Sequence, residues 1–129
     1  MERLNIDQKQ TQIFNKYGVF FAFDHKQYHE QAKPGIQYAH VGNGMFCQSG
    51  TCQEVFDALE ALEKENIAWE LANNTKKDII WYELANHECQ LTMSYKEIIE
   101  LMEPYGITKD DIKAEWPGYM QHCIEHDYF

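Results

Sequence analysis

Along the 129-residue chain, apolar positions follow a helical repeat in most stretches and an alternating or continuous one in a few. Ile13, Phe14 and Tyr17 share a helical face, with Asp7 placed to cap a first helix and Gly18 able to take the left-handed position after its end. Val19 to Phe23 is a continuous apolar run bounded by Gly18 and Asp24, which predicts a strand covered on both faces and the centre of a small sheet. Asp24 can cap a second helix with Gln27 reaching back, and Pro34-Gly35 closes it. Ile36, Tyr38 and His40 then alternate with Gln37, Ala39 and Val41, and Asn43-Gly44 is the signature of a type I′ turn. Residues 36–48 therefore read as a hairpin.

The second half is helical in pattern. Thr51-Cys52-Gln53-Glu54 has the form of a capping box and opens the longest helix, which should run to about Asn73. Val55, Leu59, Leu62 and Trp69 form one stripe, while Phe56, Ile67 and Leu71 lie off it, so either more than one side is buried or one face meets a partner. Asn73-Asn74-Thr75 reads as a break. Ile80 and Leu84, four apart, favour a helix over Lys76 to Asn86. Ser94-Tyr95-Lys96-Glu97 is a further capping box, and Thr108 with Asp111 opens a last helix that Pro117 should kink or restart. Together these elements predict an α+β fold: one domain over residues 1–129, with a mainly antiparallel sheet of about three strands under four or five helices.

Charge narrows the partners. The formal net charge is −10, Arg3 is the single arginine, and residues 97–129 carry two basic against eight acidic side chains. A chain so short of Lys and Arg lacks what holds nucleic-acid phosphates, so direct DNA or RNA binding is not expected. No run approaches the ~20 apolar residues of a membrane span, and the first residues lack a signal-peptide pattern, so a cytoplasmic protein without membrane contact is expected. Cys47, Cys52, Cys89 and Cys123 should then be reduced thiols.

The densest chemistry is Trp81 to Cys89, where two aromatic rings, two carboxylates, an imidazole and a thiol fall within one short run. Cys47, Cys52, His87, Cys89, His122, Cys123 and His126 are of zinc-ligating type, and His122 with His126 would share a helix face. Their spacing matches no zinc knuckle, no His-Glu-x-x-His protease and no zinc deaminase, so no metal and no cofactor is expected. Cys52, in a first helical turn whose dipole favours a thiolate, is the thiol most open to activation. For Asn86-His87-Glu88 the preferred reading is a helix exit, with Asn86 left-handed, His87 bonded to a nearby carbonyl and Glu88 capping or pairing with a lysine.

Gly18-Val19-Phe20-Phe21-Ala22-Phe23-Asp24, Gln27-Tyr28 and Tyr82-Glu83-Leu84-Ala85-Asn86-His87-Glu88-Cys89 resemble the pattern of a small uncharacterised family found in bacteria and their phages. Asp24 stands where that pattern has Ser. The resemblance implies one compact domain and carries no catalytic assignment. The expected function is a non-enzymatic protein-interaction module, in a specific version an acidic counter-defence inhibitor of a host protein, with Trp81, Tyr82, Asn86, His87 and Glu88 as binding residues. A homo-oligomer is compatible with this. The competing class is a metal- or small-ligand-binding enzyme using His87, Glu88 and Cys89.

Overall fold

Capping and turn chemistry set most of the element boundaries in the computed structural model, which describes residues 1–129. The fold is α+β, 65% helical and 7% strand. Its contacts gather into two compact units, Asn5–Glu65 and Asn66–Phe129 with Met1–Leu4.

In the first unit, helix α1 (Ile6–Tyr17) is capped by Asn5, whose side chain accepts from the Gln8 N–H, two residues earlier than the expected Asp7. Gly18 ends it in the left-handed region, as its position implied. Strand β1 pairs only Phe20–Phe21, helix α2 spans His25–Gln31, and strands β2 (Tyr38–His40) and β3 (Met45–Gln48) form the hairpin. Asn43 and Gly44 both take positive φ, and Met45 N–H donates to the Gly42 carbonyl at 3.0 Å. The sheet is antiparallel with order β1-β3-β2. The expected centre is thus corrected: β1 is an edge strand, with Phe21 and Phe23 exposed, and β3 is central because it pairs with both neighbours and buries Cys47. Asp24 caps α2 through the Gln27 N–H at 2.8 Å, and the Gln27 amide oxygen reaches one residue further back than expected, to the Phe23 N–H at 2.7 Å.

Helix α3 (Cys52–Asn73) has the length its pattern implied. Its start differs: the Thr51 hydroxyl donates to the Gln48 carbonyl at 2.8 Å instead of closing the expected capping box. Val55 and Leu62 are buried, while Phe56 and Leu71 are exposed.

In the second unit, helix α4 (Lys76–Asn86) opens on a full capping box between Thr75 and Asp78, so the expected break is itself a helix start. A one-turn helix α5 (Cys89–Thr92), a 3₁₀ turn at Lys96–Ile98, a short α6 (Ile99–Met102), a second 3₁₀ turn at Glu103–Tyr105 and α7 (Lys109–His126) follow. At Ser94 the side-chain oxygen accepts from the Lys96 N–H at 3.2 Å, which tightens a turn instead of forming the expected box. The box at Thr108 and Asp111 forms as expected. Of the two outcomes expected at Pro117, a kink or a restart, the restart does not occur: helix α7 continues through it. Packing on both sides offsets the ~3 kcal/mol of an interior proline: Trp116 meets Tyr95 at 5.3 Å, and Tyr119 and Cys123 are buried. The core of this unit is Ile79, Ile80, Leu84, Ile98, Met102, Ile107 and Ile112, with Cys89, Tyr119 and Cys123.

Two consequences are measurable. A Cβ at Gly44, already at φ +74°, would lie 2.5 Å from the exposed Phe23 ring, so Gly44→Ala should displace that ring and lower the unfolding free energy by the roughly 1–2 kcal/mol of left-handed strain; a neutral variant in urea unfolding would contradict this. At the other end, hydrogen bonds from Thr108 hold the Asp111 carboxyl below its ordinary value of 3.8. A depressed carboxyl contributes stability that is present above its unfolded pKa and lost as pH falls through its folded one. Asp111→Asn should therefore flatten the loss of stability below about pH 3.8, and an unchanged acid slope would contradict the cap's role.

Candidate functional site

The Trp81–Cys89 run is helix α4's last two turns, the exit, and the first residue of α5, so helical geometry sends its side chains in different directions. Trp81 is half-buried: its indole N–H donates to Glu115 Oε2 at 3.1 Å, its ring meets Tyr119 edge-on at 5.7 Å, and Lys77 Nζ lies 4.6 Å from the ring centroid. Tyr82 faces the N-terminal segment. Its hydroxyl accepts from Arg3 Nη1 at 2.6 Å, and the guanidinium carbon lies 4.8 Å from its ring centre. Both rings border a recess of about 260 Å³ that also touches Met1, so the structure brings Trp81 and Tyr82 together, while their polar atoms are engaged inside the protein.

The sole arginine also meets the one buried carboxylate. Glu70, 1% exposed, accepts from the Tyr105 hydroxyl and lies 3.5 Å from Arg3 Nε. Burial and the Glu70 hydrogen bond push the Tyr105 hydroxyl far above its ordinary range. No local pattern in α3 marks Glu70, because its partners stand at residues 3 and 105.

Beyond the helix exit the picture is corrected in detail. Asn86 is the exposed last residue of α4, His87 follows near the bridge region, and the left-handed residue is Glu88 at φ +50°. The imidazole of His87 lies between two carboxylates, with Nε2 3.5 Å from Glu83 and Nδ1 3.7 Å from Glu97, in place of the expected carbonyl. Glu88 is solvent-exposed. Cys89 is buried beside the same acids, and burial first, then Glu97 and Glu83, push its thiol up. The peptide N–H groups of His87 and Glu88 donate back to Glu83 and Ala85, each at 3.1 Å, so the exit is fully tied to the helix.

Next to this exit, α5 is bracketed by two non-glycine residues in the left-handed region, Glu88 at φ +50° and Met93 at φ +56°. Such positions store strain and cluster where the chain must present particular side chains. Leu91, inside the turn, is 51% exposed, and Met93, its C-terminal cap, is 68% exposed. The turn is held from below: buried Gln90 accepts from the Tyr119 hydroxyl at 2.7 Å and donates to the Tyr128 carbonyl at 3.0 Å. Sequence reasoning stopped at Cys89 and missed this display; two apolar residues spaced by one in a polar turn were its only trace.

The remaining zinc-type residues are scattered. His122 and His126 do share a face, with ring centroids 4.1 Å apart, and His126 Nδ1 donates to the His122 carbonyl at 2.8 Å. Cys123 is buried. No three His, Cys, Asp or Glu side chains stand together as a set that could hold a metal ion. Burial and a hydrogen bond with Cys52 push the Cys47 thiol up to about 11. A thiol reagent should therefore label Cys52, the one cysteine that is not buried, well before Cys47, Cys89 and Cys123, which react on unfolding; rapid native labelling of Cys89 would contradict this placement.

A model of a family of unknown function, DUF7659, matches residues 3–122, which takes in both units of the fold and both motifs that carried the family resemblance. Comparison with curated proteins and with solved structures gives no match. A match over so much of the sequence settles membership: the chain belongs to the family of unknown function DUF7659.

Proposed function

We propose that the protein is a non-catalytic interaction module that binds the basic surface of a partner protein through the turn at residues 88–93. One observation carries this reading: Leu91 on a one-turn helix and Met93 at its left-handed C-terminal cap are both displayed to solvent, opposite a second strained residue, Glu88, at the helix start. Exposed Leu and Met side chains contribute apolar contact, and methionine adapts to irregular surfaces. Along the same stretch Glu88, Glu97 and Glu100 are exposed carboxylates against one exposed lysine, Lys96, and Glu97 is also the residue beside His87 Nδ1. An apolar tip with an acidic surround fits a partner that offers an apolar cleft rimmed by Lys and Arg.

Charge supports the same assignment. Of the 12 acidic and five basic side chains in residues 66–129, the net is 5 − 12 = −7, against 5 − 8 = −3 for residues 5–65. A field of one sign steers an oppositely charged partner and discourages self-association. The earlier candidates take supporting roles on this reading. Trp81, Tyr82 and His87 hold the helix that carries the turn, and Asn86 and Glu88 border the contact surface. In a cytoplasmic, phage-related setting the partner would be a host protein and the module a counter-defence inhibitor. An enzyme built on His87, Glu88 and Cys89 is disfavoured by the buried, raised thiol of Cys89.

The test is binding to a purified basic partner across a salt series. Wild-type affinity should fall steadily with salt, and Leu91→Ala with Met93→Ala should weaken it by about tenfold or more, the loss of two apolar contacts of roughly 1 kcal/mol each, with the circular dichroism spectrum unchanged. A salt-insensitive complex, or a double variant that binds as wild type, would overturn the assignment.

A further inference from the structure

The sheet of the first unit carries a second surface that the acidic turn does not involve. Its register pairs Phe20 with Phe46 and Phe46 with His40, so one ring from each strand falls on the same face. Phe20 and Phe46 lie 5.3 Å apart at 11°, and Phe46 and His40 lie 4.8 Å apart at 24°. Rings this close and this nearly parallel form an offset stack. The row begins at buried Phe20 and ends at His40, which is exposed. There it borders a recess of about 660 Å³, walled by Phe23, His25, Tyr28, His40 and Phe46. That volume lies within the ~300–1,000 Å³ of small-molecule sites.

Phe23 shows that the recess is built. It is 75% exposed, so hydrophobic burial does not explain its position. Gly44 makes that position possible, since a Cβ there would lie 2.5 Å from the Phe23 ring. The backbone on either side is fixed, with Ala22 N–H donating to the Gly44 carbonyl at 2.8 Å and Phe23 N–H to Gln27 Oε1 at 2.7 Å. An exposed aromatic ring on a fixed backbone thereby stands at the mouth of an aromatic recess.

The polar groups select the ligand class. No Lys or Arg lines the recess, and the one carboxylate there, Asp24, already accepts from the Gln27 N–H at 2.8 Å. A phosphate would find no fixed counter-charge. The imidazoles of His25 and His40 and the hydroxyl of Tyr28 can each donate or accept, which suits the mixed ring nitrogens, carbonyls and amino groups of a heterocycle. We propose that this recess binds an uncharged planar heteroaromatic ring of the nucleobase class, stacked at the His40 end of the row beside Phe23.

Adenosine, guanosine, cytidine and uridine are to be titrated singly into isotope-labelled protein, with inorganic phosphate as a separate arm and nuclear magnetic resonance shifts as the readout. At least one nucleoside should saturate at millimolar concentration or below and shift resonances of Phe23, His25, Tyr28 and His40, while phosphate should not. Phe23→Ala should weaken that nucleoside by about tenfold, the effect of losing one stacking face. His40→Ala, also at an exposed position, gives the same readout should Phe23→Ala disturb the turn. Four nucleosides without effect, shifts centred elsewhere, phosphate reproducing the shifts, or both variants binding as wild type would each overturn the proposal.

Discussion

The side-chain amide of Gln90 is the contact on which the geometry of the second unit turns. It is buried, and both of its ends are satisfied, one by the Tyr119 hydroxyl of α7 and the other by the backbone carbonyl of Tyr128. An amide buried without partners costs about 1–3 kcal/mol, so the turn that carries Gln90 has one favourable seat and little freedom to leave it. That seat fixes what lies on either side. Cys89 is pressed into the core, and Leu91 and Met93 are left in solvent. Two left-handed residues are needed to make so abrupt a turn without glycine, and the strain at Glu88 and Met93 is sustained because Gln90 and Cys89 are anchored.

The same logic of one anchored polar group runs through the N-terminal segment. Glu70 is a carboxylate almost wholly removed from water, and a single such charge is tolerable only with partners. Tyr105 supplies a hydroxyl and Arg3 a guanidinium, which also reaches Tyr82. Asn74 adds two hydrogen bonds to the backbone of Glu2, each 2.8 Å. Residues 1–4 are thus tied to α3 and α4 by polar contacts, although 61 residues separate them from the rest of their unit. Of the aromatic pair that stands out in the sequence, Tyr82 joins this network through Arg3, and Trp81 is engaged instead by Glu115 and Tyr119 of α7.

Much of the fold was legible because its signals are local. Gly18 as a left-handed helix end, Asn43-Gly44 as the hairpin turn, and Thr108 with Asp111 as a capping box each act within four residues, and the structure forms all three. Strand order was not legible. Val19 to Phe23 is more apolar than Met45 to Gln48, yet the centre of a sheet goes to the strand with two partners, and pairing is non-local. That Pro117 does not restart the helix was not legible for the same reason, since packing of Trp116, Tyr119 and Cys123 outweighs a local penalty. At the candidate site, the density of functional groups from Trp81 to Cys89 is legible in the sequence, but not which of those groups face solvent. Leu91 and Met93 lack any motif, and the Phe20–Phe46–His40 row exists only once the register is known.

The contact surface proposed for this protein is an anchored turn with an exposed apolar tip, Leu91 and Met93. Methionine oxidation reads this surface directly, because the thioether of Met93 is open to peroxide in the free protein and would be covered in a complex. Mass spectrometry of peroxide-treated protein, alone and in complex with the basic partner proposed for it, should show Met93 oxidised quickly when free and protected when bound, with the oxidation of Met1 the same in both states. Equal oxidation of Met93 in both states would contradict the account and place the contact elsewhere on the molecule.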